Sequence, residues 1–546
     1  MECRGRIGVI IPQVSSNIDT QFIDAVHRKA AEFGYDTIVL SGVINYVDDH
    51  VEAVYSRGQT NIYDLIIHGD FSGFVFEADT FCSEKLRRSV FSLLSRSGRP
   101  CVTVNPGRPG FPAVSADESV PLYLAAMHLI KEHGCRKLYC IGGNKGHKSS
   151  EERIDGFRKA MDEAGLPRDE DCIFYGNYWK EVPRTIAGEI AEGKLARPDG
   201  VVCGSNIMAA ELCRALMELG VDVPGDIAVT GCDGSIISQT GRVSITTAAG
   251  QERINGVLAV TKLLEMLGES AECGEMLPEL ITGASCGCGG KGVFCGGSDI
   301  REYAGAMFAL AEHRKTNSHG EMFRRMNESK DIYDVLGTFM GCVYMIPTAV
   351  GAELCLCDNW CRDLDDPSVY RRGGLSDTML LGTDCSAGSE TMVSFPAGDI
   401  FPSLKKPHEP RLIMVTSLHY KGQIFGYVGL TYEKAIHIVL DDFYMSWCDT
   451  ISSGLNTVQN RMYKEYVNKR IESLSEFAPV LGIYNRRGLI NKLMNLMSEN
   501  SGTVMLAVLS YIKEERVHYS VPPVNSIVNA IRISDDRAVL ASLGMR

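Results

Sequence analysis

Asn206-Ile207-Met208-Ala209-Ala210-Glu211-Leu212-Cys213-Arg214-Ala215-Leu216-Met217-Glu218-Leu219-Gly220-Val221-Asp222-Val223-Pro224-Gly225-Asp226-Ile227-Ala228-Val229-Thr230-Gly231-Cys232-Asp233 reads as a helix, a short connection and a strand. The helix runs from Asn206 to Leu219 and is stopped by Gly220, a residue that ends helices because it tolerates the left-handed conformation. Ile227 to Thr230 is too short and too apolar for another helix and reads as a buried strand.

The same unit recurs outward in both directions. Candidate strands are Ile7 to Ile11, Thr37 to Leu40, Gly73 to Phe76, Cys101 to Val104, Lys137 to Ile141, Cys172 to Phe174 and Gly200 to Cys203, with amphipathic helices in the gaps. From Ser119 to His133, Asp117 and Ser119 are expected to supply N-cap oxygens, Pro121 sits in the first turn and Gly134 follows the last apolar position. Another helix, Glu151 to Ala164, is stopped by Gly165. Strand and helix in alternation over residues 6 to 285 imply an α/β fold, a parallel sheet with helices on both faces.

Length and composition bound the rest. At 546 residues the chain needs several folded units, and 45% hydrophobic with 23% charged residues is ordinary for a globular protein. A formal net charge of −13 argues against a protein whose main business is gripping phosphate backbones, so no direct nucleic-acid binding is expected. The apolar start at Ile7 lacks the shape of a signal peptide, and no apolar run reaches the ~18–20 residues of a membrane span. A cytoplasmic location is expected, with no membrane partner. Nineteen scattered cysteines are an odd number for a disulfide framework and are expected to be small buried hydrophobes.

The opening stretch, together with Ile7-Gly8-Val9-Ile10-Ile11-Pro12, His133-Gly134-Cys135-Arg136-Lys137, Arg153-Ile154-Asp155-Gly156-Phe157 and Ile245-Thr246-Thr247, resembles the sensor domain of the lactose/galactose repressor family. The resemblance implies a type I periplasmic-binding-protein-like domain over residues 1–285. Its two Rossmann-like lobes would be residues 6–115 with 244–268 and 117–240 with 275–285, joined by three crossings, with a small-molecule ligand held between them. Reading hydroxyls of a sugar, polyol or nucleoside needs a guanidinium fork, a carboxylate, an amide and an aromatic platform at strand ends. The family-matched positions hold Arg153, Asp233, Asn206, Asp117 and Tyr178, and Ser15 and Asn17 follow the first strand as further ligand-binding candidates. Only five residues precede Arg6, so the helix-turn-helix headpiece of about 60 residues that such repressors carry is expected to be absent, and the output is expected downstream.

Residues 286–298 read as a Gly-rich linker. Cys286, Cys288 and Cys295 lie close together, but without a C-x2-C pair, or a second Cys or His pair at zinc-site spacing, no metal is expected. Residues 299–442 begin with a helical pattern. Strand-like runs follow at Ala352 to Cys357, Thr378 to Leu381, Leu412 to His419 and Phe425 to Thr431. This order resembles a GAF-type α+β domain; Cys355, Cys357 and Cys361 are expected to be buried there, and no cofactor is expected. A signalling helix over 443–478 places Ile451, Leu455, Val458 and Met462, then Val467, Ile471 and Leu474, in a broken heptad seam. The seam suits either its own domain or a second subunit, as in a homodimer.

Pro479-Val480-Leu481-Gly482-Ile483-Tyr484-Asn485-Arg486-Arg487-Gly488 resembles the opening of the GGDEF, or diguanylate cyclase, family, and residues 479–546 read as a degenerate, truncated GGDEF-like segment. Ala478 and Leu481 stand where that family has Asp and Thr. Ser534, Asp535 and Arg537 replace two glycines and the glutamate of its signature, leaving Asp536 as the one signature acid kept in place, and Val504 to Leu509 has no acid. Two-metal catalysis needs several converging carboxylates, so no catalytic residues are expected. The expected function is ligand sensing passed to an unidentified protein partner. The alternatives are a transcription regulator acting through a partner and, third, an enzyme of nucleotide signalling.

Overall fold

Strand β1 (Gly5–Ile11) lies between β2 (Tyr35–Ser41) and β3 (Gly73–Glu77) in parallel register, with Val9 opposite both Val39 and Val75. The computed structural model describes residues 2–14, 16–45, 58–105, 108–167, 169–289, 318–361, 374–385, 392–478, 483–499 and 541–542. Two units compose it, Met1–Cys361 with Arg371–Thr457, and Arg362–Tyr370 with Val458–Arg546.

In the first unit, β4 (Cys101–Val104) and β5 (Ala113–Val114) extend the parallel sheet beyond β3. Helices α1 (Asn17–Glu32), α2 (Leu65–His68) and α3 (Glu84–Ser97) connect its strands. The start of α1 is set by a capping box: Ser16 Oγ accepts from the Ile18 amide, and Asp19 accepts from the Ser16 amide at 2.8 Å. A second sheet holds β6 (Leu138–Gly142), β7 (Ile173–Tyr175), β8 (Gly200–Cys203), β9 (Ala228–Cys232), β10 (Thr246–Ala249) and β11 (Glu279–Ile281), in the order β11-β10-β9-β8-β6-β7. Helices α4 (Val120–His133), α5 (Lys148–Glu163), α6 (Glu181–Ala191), α7 (Asn206–Glu218) and the short α8 (Ile237–Thr240) accompany it, while α9 (Gln251–Met266) packs on α1 of the first lobe. The chain therefore passes between lobes three times: after β5, after β10 and before β11.

Two local expectations need correction. Residues 244–268 do not all join the first lobe, because Thr247 pairs with Gly231 and places β10 in the second sheet, so only α9 returns. Ser119 does not cap α4 with its oxygen; its hydroxyl donates to Asp117 Oδ1 at 2.6 Å, and the same carboxylate oxygen accepts from the Ser119 amide.

The segment after residue 317 contributes α10 (Ser318–Glu328) and α11 (Ile332–Cys342), then an antiparallel sheet of β12 (Gly351–Cys357), β13 (Thr378–Asp384), β14 (Val393–Pro396), β15 (Leu412–Tyr420) and β16 (Gln423–Tyr432). Sequence patterning sets this segment apart from the first lobe, yet the two share one sheet. β15 pairs in parallel with β2, Leu412 opposite Thr37 and Val415 opposite Leu40, so the order runs β14-β13-β12-β16-β15-β2-β1-β3-β4-β5. All seven β2 residues are buried, as a strand flanked on both edges and covered on both faces must be. Asp36, at the start of β2, is fully buried and accepts from the Arg411 amide (2.8 Å) and faces His408 Nε2 (3.0 Å).

Helix α12 (Asp442–Glu476) begins on this antiparallel sheet, with Trp447 wholly buried and 5.5 Å from the Phe339 ring. Of the heptad seam, Ile451, Leu455 and Val458 are buried, whereas Met462 is 37% and Ile471 58% exposed. Cys355 and Cys357 are buried strand residues and Cys361 is half-buried. In the second unit, β17 (Phe477–Ala478), β18 (Ile483–Asn485) and β19 (Ala541–Ser542) form a small sheet, followed in the chain from β18 by α13 (Arg486–Glu499). Asn485 caps α13, its Oδ1 accepting from the amides of Arg487 and Gly488. The stretches around Val504 to Leu509 and Ser534 to Arg537, and Cys295 in the linker, lie outside the described residues.

Replacing Asp36 with Ala should leave the Arg411 amide and His408 without their buried acceptor and cost about 1–3 kcal/mol. The urea midpoint of the full chain is expected to fall without a change in slope.

Candidate functional site

Arg153 stands on α5, where the side chain is almost enclosed. Its Nε donates to Glu118 Oε2 at 2.7 Å, its NH1 donates to the Gly204 carbonyl at 3.2 Å, and its guanidinium lies 5.8 Å from the centre of the Tyr178 ring. Burial disfavours the charged guanidinium, but Cys232, Glu118 and Tyr178 outweigh that effect and hold its proton more tightly. The Tyr178 ring in turn lies on Gly143; a Cβ there would come within 2.0 Å of it, so only glycine leaves room.

Asn206 and Asp233 meet at the ends of β8 and β9. Asp233 has φ +96, and its Oδ2 accepts from the Asn206 amide while its Oδ1 accepts from the Ser235 amide. Burial pushes the Asp233 carboxyl up, against the pull of those two residues and of Arg153. The Asn206 side chain is 0% exposed, and neither its Oδ1 nor its Nδ2 has a hydrogen-bond partner among the described residues. Tyr178 Oη, Gln251 Oε1 and Glu77 Oε2 are likewise buried and without a hydrogen-bond partner among the described residues. An orphaned buried polar atom costs about 1–3 kcal/mol, so these atoms call for something to bind.

The lobes touch across this region. Asn17, on α1 of the first lobe, accepts from the Ile236 amide at 2.9 Å and donates to the Gly234 carbonyl at 3.4 Å, both on the second. His147 faces Asp79 at 3.6 Å in the same sense. The crossovers are tied to each other, with Gln251 Nε2 donating to the Asp117 carbonyl and the Ala116 amide donating to Asn255 Oδ1. A cavity of about 710 Å³ runs along α1 and α9 and reaches the bridge at Asn17 and Gly234, but Arg153, Tyr178, Asn206 and Asp233 do not line it, so it is a separate hollow beside their cluster.

Of the residues named from sequence, the fold thus gathers Arg153, Tyr178, Asn206 and Asp233. Asp117 enters through the crossover beside Glu118, Asn17 serves as a latch between lobes, and Ser15 lies outside the described residues. Sequence reading missed Glu118, Glu77, Ser235 and Glu252. A signal existed for Glu77, a carboxylate at the carboxyl end of a buried strand, which is where α/β sheets place ligand groups. Burial, joined by repulsion from Glu118 and Asp19, pushes the Glu252 carboxyl up to about 7, and burial with repulsion from Glu252, Asp19 and Asp79 raises Glu77.

Two α/β lobes joined by three crossings and latched over buried polar atoms define a periplasmic-binding-protein-like sensor. Residues 126–286 match the family described as periplasmic binding protein-like domain. The chain is 33% identical over 281 residues to the HTH-type transcriptional repressor PurR of Vibrio parahaemolyticus, a match spanning 50% of this chain and 79% of that protein. It is 29% identical over 295 residues to an uncharacterized HTH-type transcriptional regulator from Streptomyces limosus, spanning 52% and 78%. The crystal structure of the transcription regulator CcpA of Lactococcus lactis aligns with 52% of this chain and 98% of that one, at 23% identity and a TM-score of 0.40. Through its first half the chain belongs to the LacI family, whose sensor is a ligand-binding regulatory domain.

The raised carboxyls set a pH dependence. Between about pH 4.5 and 7 the folded protein keeps a proton on Glu252 that the unfolded chain has released, so this group's stabilisation fades as pH rises through that window. Relative to wild type, the Glu252→Gln protein should gain stability steadily from about pH 5 to pH 7. Parallel melting curves for the two proteins across that range would refute the assignment.

Proposed function

We propose that this protein is a cytoplasmic ligand sensor that closes its two lobes on a small polar metabolite, a sugar, polyol or nucleoside, and passes the change to a protein partner without catalysis of its own. The observation that carries this reading is the set of buried polar atoms on Asn206, Tyr178, Gln251 and Glu77 that have no hydrogen-bond partner among the described residues, together with the buried Arg153–Glu118 pair. Such a set offers donors and acceptors to hydroxyls and an aromatic face to a ring. Closure is driven only to the extent that the ligand binds the closed form better than the open one.

Transmission follows from the shared sheet. The first lobe and the antiparallel sheet are continuous through β2 and β15, so movement of the second lobe is movement against that joint body, on which α12 begins. The antiparallel segment acts as the GAF-like relay, and the exposed Met462 and Ile471 suit pairing with a second copy. The absence of acids from Val504 to Leu509, with Arg537 beside Asp536, supports a GGDEF-like segment that does not bind the metal pair needed for catalysis. A second reading, control of transcription through a partner, is favoured by the relatives, which are themselves transcription regulators.

A thermal-shift screen of sugars, polyols and nucleosides on the full chain should find a stabilising class; saturation at 100 times the dissociation constant adds about 2.7 kcal/mol. Arg153→Ala and Asp233→Asn should each remove about 1.5–3 kcal/mol of binding. A ligand-induced shift that survives both substitutions would place the site elsewhere. Incubated with GTP and magnesium or manganese, with or without that ligand, the protein should yield no cyclic dinucleotide on chromatography. Product that disappears on Asp536→Ala would overturn the non-catalytic reading.

A further inference from the structure

Helix α4 ends on two half-buried histidines, His128 and His133, whose Nε2 atoms face each other at 3.2 Å. The chain returns to this place more than 150 residues later. After β11, a tight turn over Ala284–Cys286 is followed by Gly287 at φ +98, a left-handed position that glycine adopts without strain. That reversal turns both Cys286 and Cys288 toward the histidine rings. His128 Nε2 lies 3.4 Å from Cys286 Sγ and 3.4 Å from Cys288 Sγ, and His133 Nε2 lies 3.2 Å from Cys288 Sγ. All four atoms lie within 4.8 Å of one another. The Thr246 hydroxyl donates to Cys286 Sγ at 2.8 Å from the far side.

These spacings have a specific meaning. A tetrahedral zinc ion with Zn–N about 2.0–2.1 Å and Zn–S about 2.3 Å sets its ligand atoms about 3.3 Å apart for N and N and about 3.5 Å for N and S. The observed separations agree to within a few tenths of an ångström. Hydrogen bonding alone serves the cluster poorly, because an imidazole nitrogen carries either one hydrogen or one lone pair, whereas His128 Nε2 faces His133 Nε2 and both sulfurs, and thiols are weak donors.

We propose that His128, His133, Cys286 and Cys288 form a tetrahedral zinc site. Two thiolates and two imidazoles select zinc over magnesium or calcium, which take oxygen ligands. Four protein ligands close the coordination shell, so the ion is structural and activates no water. Both cysteines ligate as thiolates, any thiol proton passes to solvent, and the oxidation states are unchanged. The ion staples the segment that leaves the sensor to the end of α4, whose beginning is the crossover next to Glu118. The chain therefore exits from a fixed point on the second lobe. Spacing along the chain hides this site, since the histidines precede the cysteines by a whole lobe and Cys286-Gly287-Cys288 is shorter than the usual pair.

The test uses the full-length protein, kept reduced and stripped of metal with a chelator. Zinc is titrated in competition with a chromophoric chelator, and cobalt is added in parallel with the visible spectrum recorded. One zinc ion per chain should be retained, with cobalt giving the strong d–d bands of tetrahedral coordination and thiolate charge transfer. Cys288→Ser, at an exposed position, and His133→Gln should each weaken zinc by more than about 100-fold, since even changes outside the coordination shell cost 10–100-fold. Cys273→Ser, an exposed cysteine outside the cluster, should leave it unchanged. Failure of the wild-type protein to retain zinc, or unaltered retention in both ligand variants, overturns the proposal.

Discussion

A parallel strand has no stable existence with a bare edge in a buried sheet, and β2 is the strand on which that constraint falls hardest. β1 satisfies one of its edges. The other is satisfied by β15, a strand that arrives more than 370 residues later in the chain. The join is polar as well as backbone-made, because Asp36 is withdrawn from water and must find partners, which it does in the Arg411 amide and His408. Two segments with separate sequence patterns are thereby made into one ten-stranded sheet, and the first lobe loses the freedom to move apart from the antiparallel strands.

The second lobe has no strand in that sheet. It meets the joint body through three crossings and a few side-chain contacts, of which Asn17 and His147 span the gap. The balance of charge is drawn tightly there. Arg153 is a buried charge matched by Glu118, while Glu77 and Glu252 are pushed toward their neutral forms by burial and by neighbouring acids. Groups under such tension respond strongly to whatever supplies hydrogen bonds or charge, which is the physical basis of a sensor.

The first half was read well from sequence because its signals are local. Glycine stops at Gly134 and Gly220, short apolar strands and periodic helices all follow from backbone sterics and burial within a window of a few residues. Asn485, in the motif that opens the last segment, shows the same economy by capping its own helix. The error over Thr246–Ala249 is equally instructive, for the strand and the helix after it differ in lobe although one residue separates them. No local pattern says on which side of a crossover a strand will pair.

By itself, the sequence determined the α/β class, the repeated strand and helix order, and the residue types available for a polar site, Arg153, Asn206 and Asp233 among them. Tertiary structure alone decided which residues meet. Glu118 becomes the partner of Arg153, Glu77 becomes a buried carboxyl with a free oxygen, β15 closes the edge of β2, and His128 and His133 come to face Cys286 and Cys288. The physical reason is range: propensity and periodicity act over a turn or a strand, whereas pairing, burial and proximity of charge depend on contacts between residues far apart in the chain.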